Sequence, residues 1–248
     1  MRFARLATAD GPVSGRYESG VVDAADGTYE VGVDGYLLPP CEPSALYCVG
    51  RNYAETLEQM DYERPEEPDF FIKPPTALVG HECPIPSPTF TDELTYAGEL
   101  AAVIDRRCRD LSPDEVPDAV RGYTVMNDVD ALDQQGRTAR KAFDGSAPLG
   151  PWLETDVDPT ALEMWTDVAG ERRQEASTEL MLFDPFEVVS FLSKRFTLRP
   201  GDVVAFGSPA NPGLLEPGET VEITYEGVGT LRNTVGDGGI GETPRVFG

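Results

Sequence analysis

Apolar and polar positions change rhythm along this chain. Through residues 1–40, short apolar runs, Arg2–Leu6 and Tyr29–Val33, alternate with turns rich in glycine and aspartate, and Pro39-Pro40 closes the stretch. Strands bounded by such turns predict a small β-rich segment over 1–40, leaving 41–248 as the main domain. From Leu46 the apolar runs lengthen: Leu46–Val49 predicts a buried strand, Asn52–Met60 a short helix and Phe70–Ile72 a further strand. Leu94–Ile104 reads as one regular strand. Period-two geometry puts Tyr96, Gly98, Leu100, Ala102 and Ile104 on one face and Ala97, Glu99, Ala101 and Val103 on the other.

Helix signals are fewer. Ser112-Pro113-Asp114-Glu115 has the capping-box pattern with proline at the first helical position, predicting a short helix to Val120, followed by a strand over Gly122–Met126. Alternation of Leu162, Met164, Thr166 and Val168 up to Ala169-Gly170-Glu171 predicts a hairpin, and Asp184 before Pro185 opens the best helix, Asp184–Phe196. The last third returns to strands at Val203–Gly207, Thr220–Tyr225 and Thr230–Val235. The fold class is α+β, dominated by a large mixed sheet that is closed or rolled.

Composition narrows the function. Acidic residues number 44 against 20 basic ones, a net charge of -24 spread along the chain, so nucleic acid is not an expected partner. Lysine occurs only at Lys73, Lys141 and Lys194. An acidic, lysine-poor chain suits a salt-rich cytoplasm, where the Debye length falls to about 3 Å at 1 M and self-repulsion is screened. A hydrophobic content of 40% argues against a disordered acidic protein. Cys41, Cys48, Cys83 and Cys108 form no C-x-x-C pair, which points away from a zinc site or a disulfide framework. Nothing in the pattern has the length of a membrane span or the form of a signal peptide, so a soluble cytoplasmic protein is expected.

Several blocks, taken in order, resemble the fumarylacetoacetate hydrolase family. They are Val49-Gly50-Arg51-Asn52-Tyr53-Ala54, Phe70-Phe71-Ile72-Lys73-Pro74-Pro75, Gly98-Glu99-Leu100-Ala101-Ala102-Val103-Ile104 and Gly122-Tyr123-Thr124-Val125-Met126-Asn127-Asp128-Val129. Lys141-Ala142-Phe143-Asp144, Pro148-Leu149-Gly150-Pro151-Trp152, Leu198-Arg199-Pro200-Gly201-Asp202-Val203-Val204 and Gly207-Ser208-Pro209 continue the series. The resemblance covers about residues 45 to 236 and implies a mixed β-roll, usually a homodimer. It also implies a divalent metal, Mg²⁺ or Mn²⁺, and a small 2-oxo acid or enolisable dicarboxylate as substrate.

In that family two glutamates one residue apart and an aspartate on the next strand hold the metal. The resemblance assigns Glu99 and Asp128 to two of these positions, while the first glutamate position is Ala97. Asp130, two residues past Asp128, is the candidate to refill part of the shell, and without it a weakly bound metal is expected. Lys141 matches the active-site lysine. Lys73 is either a second site residue or a structural one at a strand end. Arg51, Tyr53, Asn127, Gln135 and Ser208 come from matching positions as candidate substrate contacts. Each has a blander reading: Glu99 as a solvated strand carboxylate, Asp128 as part of a turn-forming Asn-Asp pair.

A second departure lies on the short helix, where many relatives carry a His-x-x-Glu pair that activates water. Those positions are Thr56 and Gln59, which do not titrate near neutrality, and Glu55 and Glu58 are the candidate replacements. The only histidine, His81, follows Val79-Gly80 in a proline-rich loop and reads as a surface residue. The preferred expectation is a metal-assisted lyase or isomerase, decarboxylating or tautomerising a 2-oxo acid. The alternatives are hydrolysis of an acylpyruvate-like C–C bond, or an impaired relative that binds a small acid or acts structurally.

Overall fold

The computed structural model describes residues 1–61, 63–210 and 212–237, so the far end of the 41–248 expectation, from 238 onward, lies outside the described residues. Its strand-rich architecture with few short helices agrees with the α+β mixed-sheet expectation. Among the described residues twelve strands form the main sheet. Its central order is Arg2–Thr8, Ala147–Glu154, Val120–Asn127, Gly98–Ile104, Val203–Ala205, Leu46–Gly50 and Asp69–Lys73. Along this path only Val203–Ala205 and Leu46–Gly50 pair in parallel. A separate four-stranded sheet contains the hairpin Glu163–Val168 and Glu171–Ser177 together with Thr220–Tyr225 and Gly229–Thr234.

The Gly98–Ile104 strand is buried throughout. Leu100, Ala102 and Ile104 enter one apolar core with Met164 and Ile223 of the second sheet, while Ala101 and Val103 enter another with Leu46, Met126 and Leu149. Burial on both faces accounts for its nearly continuous apolar run. Gly98 is a point of close approach between the two sheets: a Cβ there would come within 2.6 Å of Thr166 Oγ1 and 2.9 Å of Ile223 Cγ2. Only glycine leaves room for that contact.

The N-terminal strands are continuous with the rest. Gly11–Glu18, Val21–Ala24 and Gly27–Glu30 form an antiparallel ribbon that continues the main sheet through Arg2–Thr8, which pairs Phe3 with Leu153. The strand expected at Tyr29–Val33 ends at Glu30, because Gly32, at a φ of +86°, turns the chain back toward Gly35.

Two further expectations are corrected. The helix expected from Ser112 is two 3-10 turns, Pro113–Glu115 and Pro117–Ala119. Pro117 lacks the amide that an α-helix would direct to Pro113, so Val116 N–H donates there instead, at 3.2 Å. Leu94–Ile104 is interrupted: Leu94–Thr95 pairs with Asp130–Ala131, and the main strand restarts at Gly98. The Asp184 cap is as expected, its carboxylate accepting from Phe186 and Glu187 N–H at 2.8 Å at the start of Pro185–Arg195. Among the described residues no helix is long and apolar enough to cross a membrane.

Candidate functional site

A cavity of about 590 Å³ opens where the chain leaves the main sheet. Its lining includes Glu99 from the second position of its strand, Asp128 just past Val120–Asn127, and Lys141 at the end of the short helix Arg137–Lys141. Ala97, Asp130, Arg51 and Ser208 also line it. Thr56 and Gln59 line it from the helix Ala54–Met60, whereas Glu55 and Glu58 are exposed and absent from the lining. A step of one residue turns a side chain by about 100° around a helix, which separates the two pairs.

Asp128 is the centre of a buried charge network. Lys141 Nζ donates to its Oδ2 and lies 3.1 Å from Asp130 Oδ2. Lys73, fully buried, lies 2.8 Å from Asp128 Oδ1, but its aligned hydrogen bonds go to Val129 O at 3.0 Å and Ser146 O at 2.8 Å. Asp128 Oδ1 therefore has a cation beside it and no aligned hydrogen bond among the described residues. Asp130 is gripped on both oxygens by Arg140, at 2.9 and 2.5 Å. Glu99 Oε2 accepts from Gly207 N–H at 3.0 Å.

These surroundings set the protonation preferences. Burial, reinforced by the Asp128 charge, pushes the Glu99 carboxyl up to about 8. Burial also opposes ionisation of Asp128, but Lys141 and Lys73 outweigh it and hold the group below the usual carboxylate range. The Lys141 ammonium loses stability on burial and regains more from Asp128 and Asp130, so it is raised. Lys73 is lowered, chiefly by burial and further by Lys141.

The other candidates drawn from the sequence fall outside the cavity lining. Tyr53 is buried in the core. Asn127 is buried, its Oδ1 accepting from Ala97 N–H at 3.1 Å. Gln135 is exposed, and its neighbour Gln134 lines the cavity. His81, half-buried and outside the lining, accepts at Nδ1 from Arg232 N–H at 3.1 Å, and burial lowers its pKa.

Glu99 and Asp128 are hard oxygen donors in the wall of one cavity, and both Asp128 oxygens already face ammonium groups, Lys73 at Oδ1 and Lys141 at Oδ2. Among the described residues no group of three His, Cys, Asp or Glu side chains is disposed to hold a metal. The oxygen donors a divalent cation would find here are the carboxylates of Glu99 and Asp128, with the rest of its shell left to water or a bound ligand.

The sequence matches the model of the fumarylacetoacetate hydrolase C-terminal family over residues 45–236. The oxaloacetate tautomerase YisK of Bacillus subtilis is 36% identical over 208 residues, 77% of this chain and 69% of that protein. Among solved structures, the 5-carboxymethyl-2-hydroxymuconate delta-isomerase of Mycobacterium smegmatis superposes with a TM-score of 0.87 at 39% identity, covering 95% of this chain and 98% of that one. The fumarylpyruvate hydrolase of Pseudomonas aeruginosa, in complex with Mn²⁺ and pyruvate, gives 0.75 at 32% identity, covering 83% and 94%.

Proposed function

The chain belongs to the fumarylacetoacetate hydrolase family, and from that premise we propose that it is a metal-assisted isomerase that interconverts the keto and enol forms of a small 2-oxo dicarboxylate. One observation carries this reading. The cavity gathers Glu99, Asp128 and Lys141, which suit a developing enolate, while its helix-borne stretch offers Thr56 and Gln59, which cannot activate water.

Glu99 and Asp128 would hold the cation, Mg²⁺ or Mn²⁺, which when bound adds positive charge beside the substrate oxygens where an enolate develops. Lys141, fixed by Asp128 and Asp130, directs an ammonium at the cavity and stabilises the same charge at the 2-oxo oxygen. The proton lost by the enol oxygen and the proton gained by the neighbouring carbon on ketonisation are exchanged with solvent water in the open cavity. Arg51, Arg137, Arg140 and Lys141 line the cavity with Glu99, Asp128 and Asp130, and Asp69 pairs with Arg51 and Arg137 behind the wall, so donors for an anionic substrate are present within a nearly balanced charge set. Ser208 lines the same cavity and offers a hydroxyl to a substrate oxygen. The exposed Glu55 and Glu58 are poorly placed to serve a hydrolytic reaction.

The test is a three-way assay of the wild type at high salt with Mn²⁺. Enol-to-keto conversion of oxaloacetate is followed by ultraviolet absorbance, decarboxylation by pyruvate release, and hydrolysis with an acylpyruvate. Tautomerisation should dominate. Acylpyruvate hydrolysis of equal kcat/KM would overturn the assignment. A second reading, binding without turnover, is favoured by Ala97 in the cavity wall and by the ion pairs already engaging Asp128 and Asp130. Tight oxaloacetate binding with no activity in any assay would select it.

A further inference from the structure

Gln174 lies in the second strand of the Glu163–Ser177 hairpin and is 1% exposed. Its side-chain amide is used at both ends. Oε1 accepts from Gly98 N–H at 3.2 Å and from Thr166 Oγ1 at 3.0 Å. Nε2 donates to Ser208 Oγ and Pro209 O at 2.9 Å and to Ala210 O at 3.2 Å.

These partners converge on one carboxylate from two directions. Gly98 directly precedes Glu99, so the Oε1 contact fixes the backbone that carries it. Ser208, Pro209 and Ala210 directly follow Gly207, whose N–H is the hydrogen-bond donor to Glu99 Oε2. Gly207 has a φ of +89° and packs so that a Cβ would lie 3.0 Å from both Asn52 Cβ and Val49 O, so this conformation of the turn calls for glycine. Thr56 Oγ1 donates to Ser208 O at 3.0 Å and holds the same turn from the helix side.

We propose that Gln174 is a positioning residue for the site, fixing Glu99 through its backbone on one side and through the Gly207–Ala210 turn on the other. The inference rests on the reading that Glu99 is a cation ligand. No cavity-lining atom belongs to Gln174, so its effect reaches the chemistry through Glu99 and Gly207. A carboxylate left to choose among rotamers must be ordered again each time it binds a cation, and affinity falls accordingly.

The experiment compares wild type with Gln174→Met, which keeps shape and loses every hydrogen bond, and Gln174→Glu, which keeps the Oε1 acceptor. Thr166→Val is the control, removing one Oε1 partner without touching the turn. Mn²⁺ affinity is read by electron paramagnetic resonance of the free aqua ion, and amide exchange is read at Gly207, Ser208 and Ala210. Gln174→Met should weaken Mn²⁺ at least tenfold and speed exchange across the turn. Gln174→Glu should fall between it and wild type, and Thr166→Val should lower Tm while leaving both readouts within twofold. Turnover by Gln174→Met should lose kcat with KM little changed. Exchange at the turn within twofold of wild type in both Gln174 variants would overturn the proposal, whatever happens to Tm. If wild type binds no Mn²⁺ at millimolar concentration, the cation reading fails, while the exchange comparison still decides whether Gln174 holds the turn. Should Gln174→Met not fold, Gln174→Glu carries the same two readouts.

Discussion

Two stretches of the cavity wall differ in what they offer chemistry. The strand-end stretch, with Glu99, Asp128, Asp130, Lys73 behind it and Lys141 across it, is a dense network in which nearly every charge has an opposite partner. The helix stretch, Thr56 and Gln59, is neutral, and its hydroxyl is spent on the Ser208 carbonyl. The first can stabilise negative charge on a substrate. The second supplies no base, so the difference separates the part of the family's repertoire that needs an electron sink from the part that needs activated water.

The largest expected effect comes from disabling the charged stretch. Lys141→Met should lower kcat for oxaloacetate tautomerisation by about 10² or more, the range of a lost electrostatic stabiliser. Equal turnover in stopped-flow absorbance would show that the ammonium only neutralises Asp128. Strengthening the same stretch is the next test. Ala97 and Glu99 both line the cavity, so Ala97→Glu should add a third carboxylate and tighten Mn²⁺ about tenfold by calorimetry. An unchanged Kd would mean that position 97 points away from the ligand set.

Converting the neutral stretch is a smaller gain, because Thr56 already has a structural contact. Added to Ala97→Glu, Thr56→His with Gln59→Glu should introduce measurable acylpyruvate hydrolysis, and loss of the Thr56 bond should cost about 1 kcal/mol in denaturant melts. Hydrolysis already present in wild type would erase the contrast between the stretches. The smallest effect belongs to Glu55→Gln with Glu58→Gln. Since both side chains are exposed outside the lining, kcat/KM for oxaloacetate should stay within about twofold of wild type. A tenfold loss would return a base to that helix.

Features written in local chemistry are legible from sequence. Asp184 with Pro185 and Glu187 is a capping box, and Ala169-Gly170 is a hairpin turn, so both elements are readable before any packing is known. The break after Thr95 is hidden because period-two alternation runs straight through it. What changes there is the partner, from the main sheet to Asp130–Ala131 and Leu214, and a partner leaves no mark on the pattern. At the site, ordered family blocks lead to Glu99, Asp128, Lys141, Arg51 and Ser208, which the fold gathers in one cavity. Gln135 is exposed in a loop whose neighbour Gln134 lines the cavity, and a loop has no periodicity to fix which side chain turns inward. Gln174 does not emerge from the family blocks, although one signal for it exists. It shares the inward register of its strand with Ala176, between the outward Arg173 and Glu175, and an uncharged polar residue in an inward position implies a buried partner.

Among the described residues the cavity wall carries four cationic and three anionic side chains, in a chain whose overall charge is -24, and this contrast bears on how fast an anionic substrate of the proposed kind arrives. A dianion diffusing toward the molecule meets a repulsive long-range field before it reaches the attractive mouth. In dilute buffer the field extends about 30 Å at 0.01 M, whereas at 1 M it is confined to about 3 Å. Capture should therefore quicken as salt is added, the reverse of an enzyme that steers its substrate with a matched exterior. A medium crowded with potassium would remove the barrier and leave the short-range attraction of the cavity in place.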